Sequence, residues 1–211
     1  MNVKIKIAEA AAERFVQNER FTYESIAQKL NTESAVIHQH FATRGSMLNF
    51  FYESRIHLYR NQVELLDDYK DFNLGEKLSD FLLFLFDQFA EYNEFVLKTY
   101  KKLIINNSDP TNFETLFKEQ IQSIFESDKQ LSVSSSLLLR PVFYNSVYLK
   151  FQAFYHFWKQ DDSEHQQQTM ALIDKWSSFV EELFYTKLID KGADLSKFLF
   201  YNSPLNQFLH K

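Results

Sequence analysis

The fold class predicted by this sequence is all-α, and three observations predict it. Glycine and proline together number only six in 211 residues, about 3% against roughly 12% in average usage, so the chain lacks the residues that punctuate tight turns. Apolar residues recur three and four apart along almost the whole length, which is the spacing of one helix face. The polar breaks between these periodic stretches are short, as in chains whose helices pack directly on one another.

Composition also removes whole classes of function. With no cysteine, disulfides, thiolate metal sites, iron–sulfur clusters and thiol nucleophiles are excluded. Gly45, Gly75 and Gly192 stand too far apart for a dinucleotide-binding turn or a phosphate-cradling loop. Aromatic residues make up 17% of the chain, and that much ring surface has to be packed, shared with a partner or wrapped around a ligand. The start, MNVKIKIAEAAAERF, is broken by Lys4, Lys6 and Glu9, and the longest apolar run, Phe81 to Phe86, falls far short of the roughly 18 residues of a membrane span. A soluble, cytoplasmic protein is expected, with no membrane partner. Net charge is −5, yet the first 60 residues carry 8 Lys and Arg against 6 Glu, so any acid-binding function is expected at the front.

Ile5, Ala8, Ala11, Ala12 and Phe15 predict a first helix over about 3–17. Thr22 is placed to cap a short second helix burying Ile26, Ala27 and Leu30. After the Asn31-Thr32 break, a third runs from Glu33 to about His40 around Val36 and Ile37. Thr43 opens a fourth, carrying Met47, Leu48 and Phe51 towards Tyr59 and Val63. The polar run from Asp67 to Asp71, with Asn73 and Gly75, predicts a junction that divides the chain into residues 1–66 and 67–211. Beyond it, residues 76–92 are apolar around nearly the whole circumference and predict a central buried helix, followed by another over 93–105. Asp109-Pro110 is the expected start of a helix to about Glu126, and the serine-rich stretch 127–136 is expected to be a loop. Two long helices, about 138–159 and 164–190, are joined by so short a link that they must be antiparallel neighbours. Ser163 with Gln166 predicts a capping box between them, and residues 194–200 a last turn or two.

Three short helices within about 45 residues, the second and third separated by a tight turn, are the parts of a helix-turn-helix. The residues Ile7 to Ala10, Phe15, Phe21-Thr22, Ile26-Ala27, Val36-Ile37, His40-Phe41, Thr43-Arg44 and Met47-Leu48 resemble the amino-terminal DNA-binding domain of TetR-type transcriptional regulators. That resemblance implies a three-helix DNA-binding domain joined to a larger helical domain for effector binding and dimerisation. It further implies that Ser34, Ala35 and Gln39 face base edges of a palindromic double-stranded operator, with Thr22, Tyr23, His38, His40 and Arg44 towards phosphates. Asn31 stands where the family usually has glycine, and asparagine tolerates the left-handed backbone that such a turn needs. The stretch from Glu33 to Gln39 contains neither lysine nor arginine, so phosphate neutralisation is modest and a shallow salt dependence is expected.

By the same resemblance, the ring-rich helices beyond residue 80 enclose a small apolar or amphipathic effector, the candidate lining being Phe81, Leu85, Phe89, Tyr100, Phe113, Phe117, Tyr144, Tyr148 and Phe151. The heptad stripe Tyr144, Tyr148, Phe151, Tyr155 and Trp158, with Met170, Ile173, Trp176, Val180, Leu183 and Phe184 on the next helix, is expected to build a homodimer interface. A second, shorter likeness links Phe154 to Trp158, Asp161, Ser163 and Thr169 with accessory proteins of coenzyme Q biosynthesis, which bind lipid without reading DNA. No serine elbow or nucleophile–histidine pairing is present, and the two rings of His38 and His40 point to different helix faces. The expectation is a non-enzyme without metal or cofactor, a repressor released from its operator by an effector; the alternative is a lipid-binding accessory protein of the same fold.

Overall fold

Small side chains decide how the front of the molecule packs. The computed structural model describes residues 2–18, 20–107, 109–131 and 138–186, and its first helix, α1 (Asn2–Gln17), buries Ala8, Ala10, Ala11 and Ala12 beside Ile5 and Ile7. Alanine lets helix backbones approach closely, and α1 lies against α2 (Tyr23–Lys29) and α4 (Arg44–Glu64). Between these, α3 (Ser34–His40) is anchored by Ile37, which is fully buried. Thr22 and Thr43 cap α2 and α4 as expected, each accepting from the third residue of its helix while a serine there returns the bond.

With 21 residues, α4 is roughly 30 Å long and reaches from the helix-turn-helix to the rest of the chain. Its far half packs on α5 (Leu74–Glu91) and α7 (Asn112–Glu126). The acidic break predicted at 67–71 is a single 3-10 turn (Asp67–Asp71), tied down where the Tyr59 hydroxyl meets Tyr69 and donates to Asp80 at 2.9 Å. Helix α5 is the central buried helix expected from its apolar circumference: Leu78, Phe81, Leu82, Leu85, Phe86 and Phe89 are all enclosed. Its N-terminus abuts α9 (Gln167–Tyr185), where Glu181 Oε2 accepts from the Gly75 amide at 2.7 Å. A Cβ at Gly75 would stand 2.8 Å from that carboxylate oxygen and 3.3 Å from the Ser177 carbonyl, so a side chain here would displace the Glu181 carboxylate and press on α9.

Four expectations are corrected. The helix expected over 93–105 is α6 (Asn93–Tyr100) continued by a π-helical turn (Lys101–Ile105). Helix α7 starts at Asn112 with Thr111, not Asp109, as its cap, because the Thr111 hydroxyl accepts from the Glu114 amide at 3.1 Å. Helix α8 (Pro141–Trp158) begins at the proline, whose fixed φ suits a first helical turn. Finally, the Ser163–Gln166 capping box does not form as a box: His165 and Gln166 turn left-handed, the Ser163 hydroxyl accepts from the Gln168 amide at 3.2 Å, and Asp161 in place of Gln166 completes the cap by accepting from Thr169. The parts of the predicted elements at 132–137 and 187–211, the 194–200 turn included, lie outside the described residues.

The Asp161 carboxylate accepts from the Ser163 amide and hydroxyl and from the Thr169 amide and hydroxyl at 2.5–3.0 Å. Partial desolvation acts to raise its pKa, and these bonds outweigh it and hold it at about 2. A depressed carboxylate stabilises the fold above the unfolded value near 3.9 and loses that contribution as pH falls through about 2. Asp161→Asn is therefore expected to be less stable than the native chain at pH 6 and to converge with it between about pH 4 and 2. Urea midpoints across that range check it; a constant offset down to pH 2 would refute it.

Candidate functional site

The helix-turn-helix is held from below and open above. Asn31 takes φ +50°, the left-handed turn expected of it, and Thr32 closes the corner by donating its amide to the Ala27 carbonyl. Helix α3 then presents Ala35, His38 and Gln39 to solvent while Ser34 and His40 are half-buried. Among the residues expected to face phosphate, the Thr22 hydroxyl is used as the α2 cap. The Tyr23 ring stacks on His38 with centroids 3.8 Å apart, and its hydroxyl donates to the Phe41 carbonyl at 3.4 Å. Arg44 donates one guanidinium nitrogen to the Phe21 carbonyl at 3.0 Å and lies beside the Phe21 ring, which fixes its direction and leaves its charge unpaired.

Tertiary structure removes cations from the front that the sequence counts in. Lys29 pairs with Glu13, Arg55 with Glu9, and Arg60 with Glu119. Arg55 is 1% exposed. What remains in the first 60 residues is Lys4, Lys6, Arg14, Arg20 and Arg44. No carboxylate is paired with any of these five among the described residues.

Most of the candidate effector residues form one aromatic cluster. Phe117 touches Phe81, Tyr148 and Phe151 with centroids 4.8–5.5 Å apart; Phe89 meets Tyr100 at 5.5 Å, and Phe113 meets Tyr100, Phe117 and Phe151 at 6.0–6.4 Å. Leu85 is buried beside them. Tyr144 is instead packed on Phe143, towards Phe125 and Phe184. Sequence reasoning missed Tyr52, on α4, whose ring contacts Phe89, Phe95, Tyr100 and Phe113 and whose hydroxyl meets Thr99 at 2.6 Å. The signal was present in its register with Phe51 and Tyr59, but a helix assigned to the front half was not expected to serve the rear. The hydroxyls of Tyr100 and Tyr148 and Oε1 of Gln152 are buried without a well-formed hydrogen bond. Desolvation pushes both tyrosine pKa values up, only partly offset by the nearness of Gln152, so both stay neutral.

Most of the stripe expected to build the dimer faces inward, Leu183 excepted. Tyr144, Tyr148, Phe151, Tyr155 and Trp158 all point into the core, as do Ile173, Val180 and Phe184, because an apolar helix face first meets its own subunit's core. On the outer faces of α8 and α9, Val142, Leu149, Phe157, Leu172, Phe179 and Leu183 are exposed, Leu149 by 68% and Phe179 by 60%. The Asp161, Ser163 and Thr169 positions behind the coenzyme Q likeness are accounted for by the turn that they close.

A family profile described as tetracyclin repressor-like, C-terminal domain, matches residues 77–199, more than half of the chain, running from within α5 past the end of α9 and covering most of the aromatic cluster. No curated protein matches the chain in sequence. No helix among the described residues is long and apolar enough to cross a membrane. The profile, the all-helical architecture and the helix-turn-helix ahead of the matched region agree on one assignment: the chain belongs to the TetR-like family of transcriptional regulators.

Proposed function

We propose that this protein is a cytoplasmic, homodimeric, ligand-responsive repressor, in which residues 1–66 read a palindromic operator and residues 67–211 bind the effector and the second subunit. The observation that carries the reading is the open face of α3, where Ala35, His38 and Gln39 are exposed on a helix anchored by Ile37, ahead of a region that matches the family. Ser34, Ala35 and Gln39 would meet base edges, and Arg44, with Thr22, Tyr23, His38 and His40, the phosphates on either side. The effector is a small apolar or amphipathic molecule taken up among Phe81, Phe89, Tyr100, Phe113, Phe117, Tyr148 and Phe151, with the buried Tyr100 and Tyr148 hydroxyls as its polar contacts. Because α4 packs on both the helix-turn-helix and these rings, a ligand that parts the rings biases the spacing of the two recognition helices, and operator affinity changes by the differential affinity of the ligand for the two states.

Selection from random duplex DNA tests this, and a palindromic preference is expected. With three of the front cations engaged internally, affinity should fall less steeply with salt than that of a repressor making 6 to 10 phosphate contacts, which loses roughly 10³ to 10⁵ between 50 and 200 mM. Arg44→Ala should weaken binding to all sequences alike, whereas Gln39→Ala should change which sequence is preferred. If no palindrome is preferred even at low salt, the repressor reading fails and the lipid-binding alternative replaces it.

A further inference from the structure

A polar cleft of about 180 Å³ opens between α4 and the connection from α6 to α7, on the edge of the aromatic cluster, with which it shares Phe113. Its walls are Asn49 and Glu53 of α4 and Asn107, Thr111 and Asn112 of the connection and α7; its floor is Ile104 and Phe113, both buried. Two acceptors among the polar groups stand out. Asn49 Oδ1 is buried and unpaired. Glu53 Oε1 accepts a single side-chain bond, from Asn112 at 3.2 Å, and among the described residues no cation is paired with this carboxylate. Asn107 uses one N–H of its side-chain amide on the Leu103 carbonyl at 2.7 Å and keeps Oδ1 as an acceptor. The cation whose charge Glu53 feels is Lys4, and that ammonium is drawn over the Phe41 and Phe50 rings at 5.8–6.0 Å. Desolvation raises the Glu53 pKa, the sign of a carboxylate short of partners. An under-paired carboxylate beside an unpaired amide oxygen calls for donors and positive charge, and an ammonium supplies three donors and no acceptor.

Size and floor narrow the class further. A cavity of about 150 Å³ takes one benzene ring, and here the base of the cleft is the Phe113 ring beside Ile104. We propose that this cleft binds a small arylalkyl amine, with Glu53 and Asn49 accepting from its ammonium group and Phe113 and Ile104 carrying its ring. Binding stands on the cleft alone; its use as a regulatory input rests on the repressor reading above. That use has a physical route, since Asn49 and Glu53 lie one and two turns after Ser46 at the start of α4, and the Asn112–Glu53 bond that an ammonium would compete for joins α4 to α7.

The test is calorimetric or ligand-observed NMR titration of the full-length protein, without DNA, using 2-phenylethylamine, 2-phenylethanol and 3-phenylpropanoate. The amine is expected to bind once per chain, at least about tenfold tighter than the propanoate, with the alcohol between. Glu53→Gln, which keeps the shape and the Asn112 contact, should weaken the amine by at least about tenfold with an unchanged helical circular dichroism spectrum, while Glu94→Gln on the exposed end of α6 should leave it unaltered. Equal binding of amine and propanoate, equal binding by Glu53→Gln, or no saturable amine binding at millimolar concentration would each overturn the proposal. A protein that binds the amine but prefers no DNA sequence keeps the cleft and loses the repressor; one that reads DNA but ignores the amine does the reverse.

Discussion

Arg55→Ala is expected to lower folding stability by about 3–5 kcal/mol, because it breaks a buried ion pair from one side. The guanidinium donates to Glu9 Oε1 at 2.7 Å, to Gln88 Oε1 at 2.8 Å and to Ser54 Oγ at 3.0–3.2 Å, and it lies over the Phe51 ring at 4.5 Å with Tyr92 at 5.5 Å. Removing it strands a carboxylate and an amide and leaves a void between two rings. Against a total of roughly 5–15 kcal/mol for a domain, such a loss is large. Arg55→Lys keeps the charge but lacks the planar fork that reaches acceptors on three helices at once, so it should recover only part of the loss. Since the three contacts join α1, α4 and α5, amide exchange in α1 should accelerate more than in α9. Urea unfolding measures the effect, and a loss below about 1 kcal/mol for Arg55→Ala would show that the network adds little beyond packing.

Charging the outer face of the last two helices should have the largest functional consequence. Leu149 and Phe179 are among the most exposed large apolar residues on α8 and α9, so glutamate at both is accommodated by the folded subunit but places like charges on the face proposed for the second copy. A stable association of this kind buries more than about 1,200 Å² in total, and a pair of buried unpaired carboxylates is enough to prevent it. Light scattering at micromolar concentration should report a dimer for the native chain and a monomer for Leu149→Glu/Phe179→Glu. Operator affinity should fall by about 10² to 10⁴, the avidity lost when two half-sites are no longer engaged together. A native monomer, or a variant that remains dimeric, would move the interface elsewhere or remove it.

The two helices concerned illustrate what a stripe in a sequence does and does not say. Spacings of 4, 3, 4 and 3 from Tyr144 to Trp158 establish that one face is apolar, but the same pattern serves an internal core and an interface. In the structure the tyrosine stripe is internal, and the residues left outside, Val142, Leu149 and Phe157, are spaced along the opposite face. Leu149 and Phe157 attract no notice in the sequence among so many other apolar positions.

Local chemistry was legible in the sequence wherever a residue acts on its own backbone neighbourhood. The shortage of glycine and proline, the caps at Thr22 and Thr43, the left-handed turn at Asn31 and the apolar circumference of α5 all depend on side chains within four or five positions of the groups they satisfy. The family's spacing over residues 7–48 belongs to the same level. Only the tertiary structure decided what depends on distant partners: that Arg55 is buried against Glu9 and Gln88 rather than free for phosphate, that Tyr52 on α4 completes the rear aromatic cluster, that Asp161 joins Ser163 in closing the last turn through Thr169, and that Glu53 and Asn49 face Phe113 across a cleft. These pairings join residues 8 to 64 positions apart, and no periodicity records them, because burial and charge pairing follow from which helix faces meet and not from the order in which the residues occur.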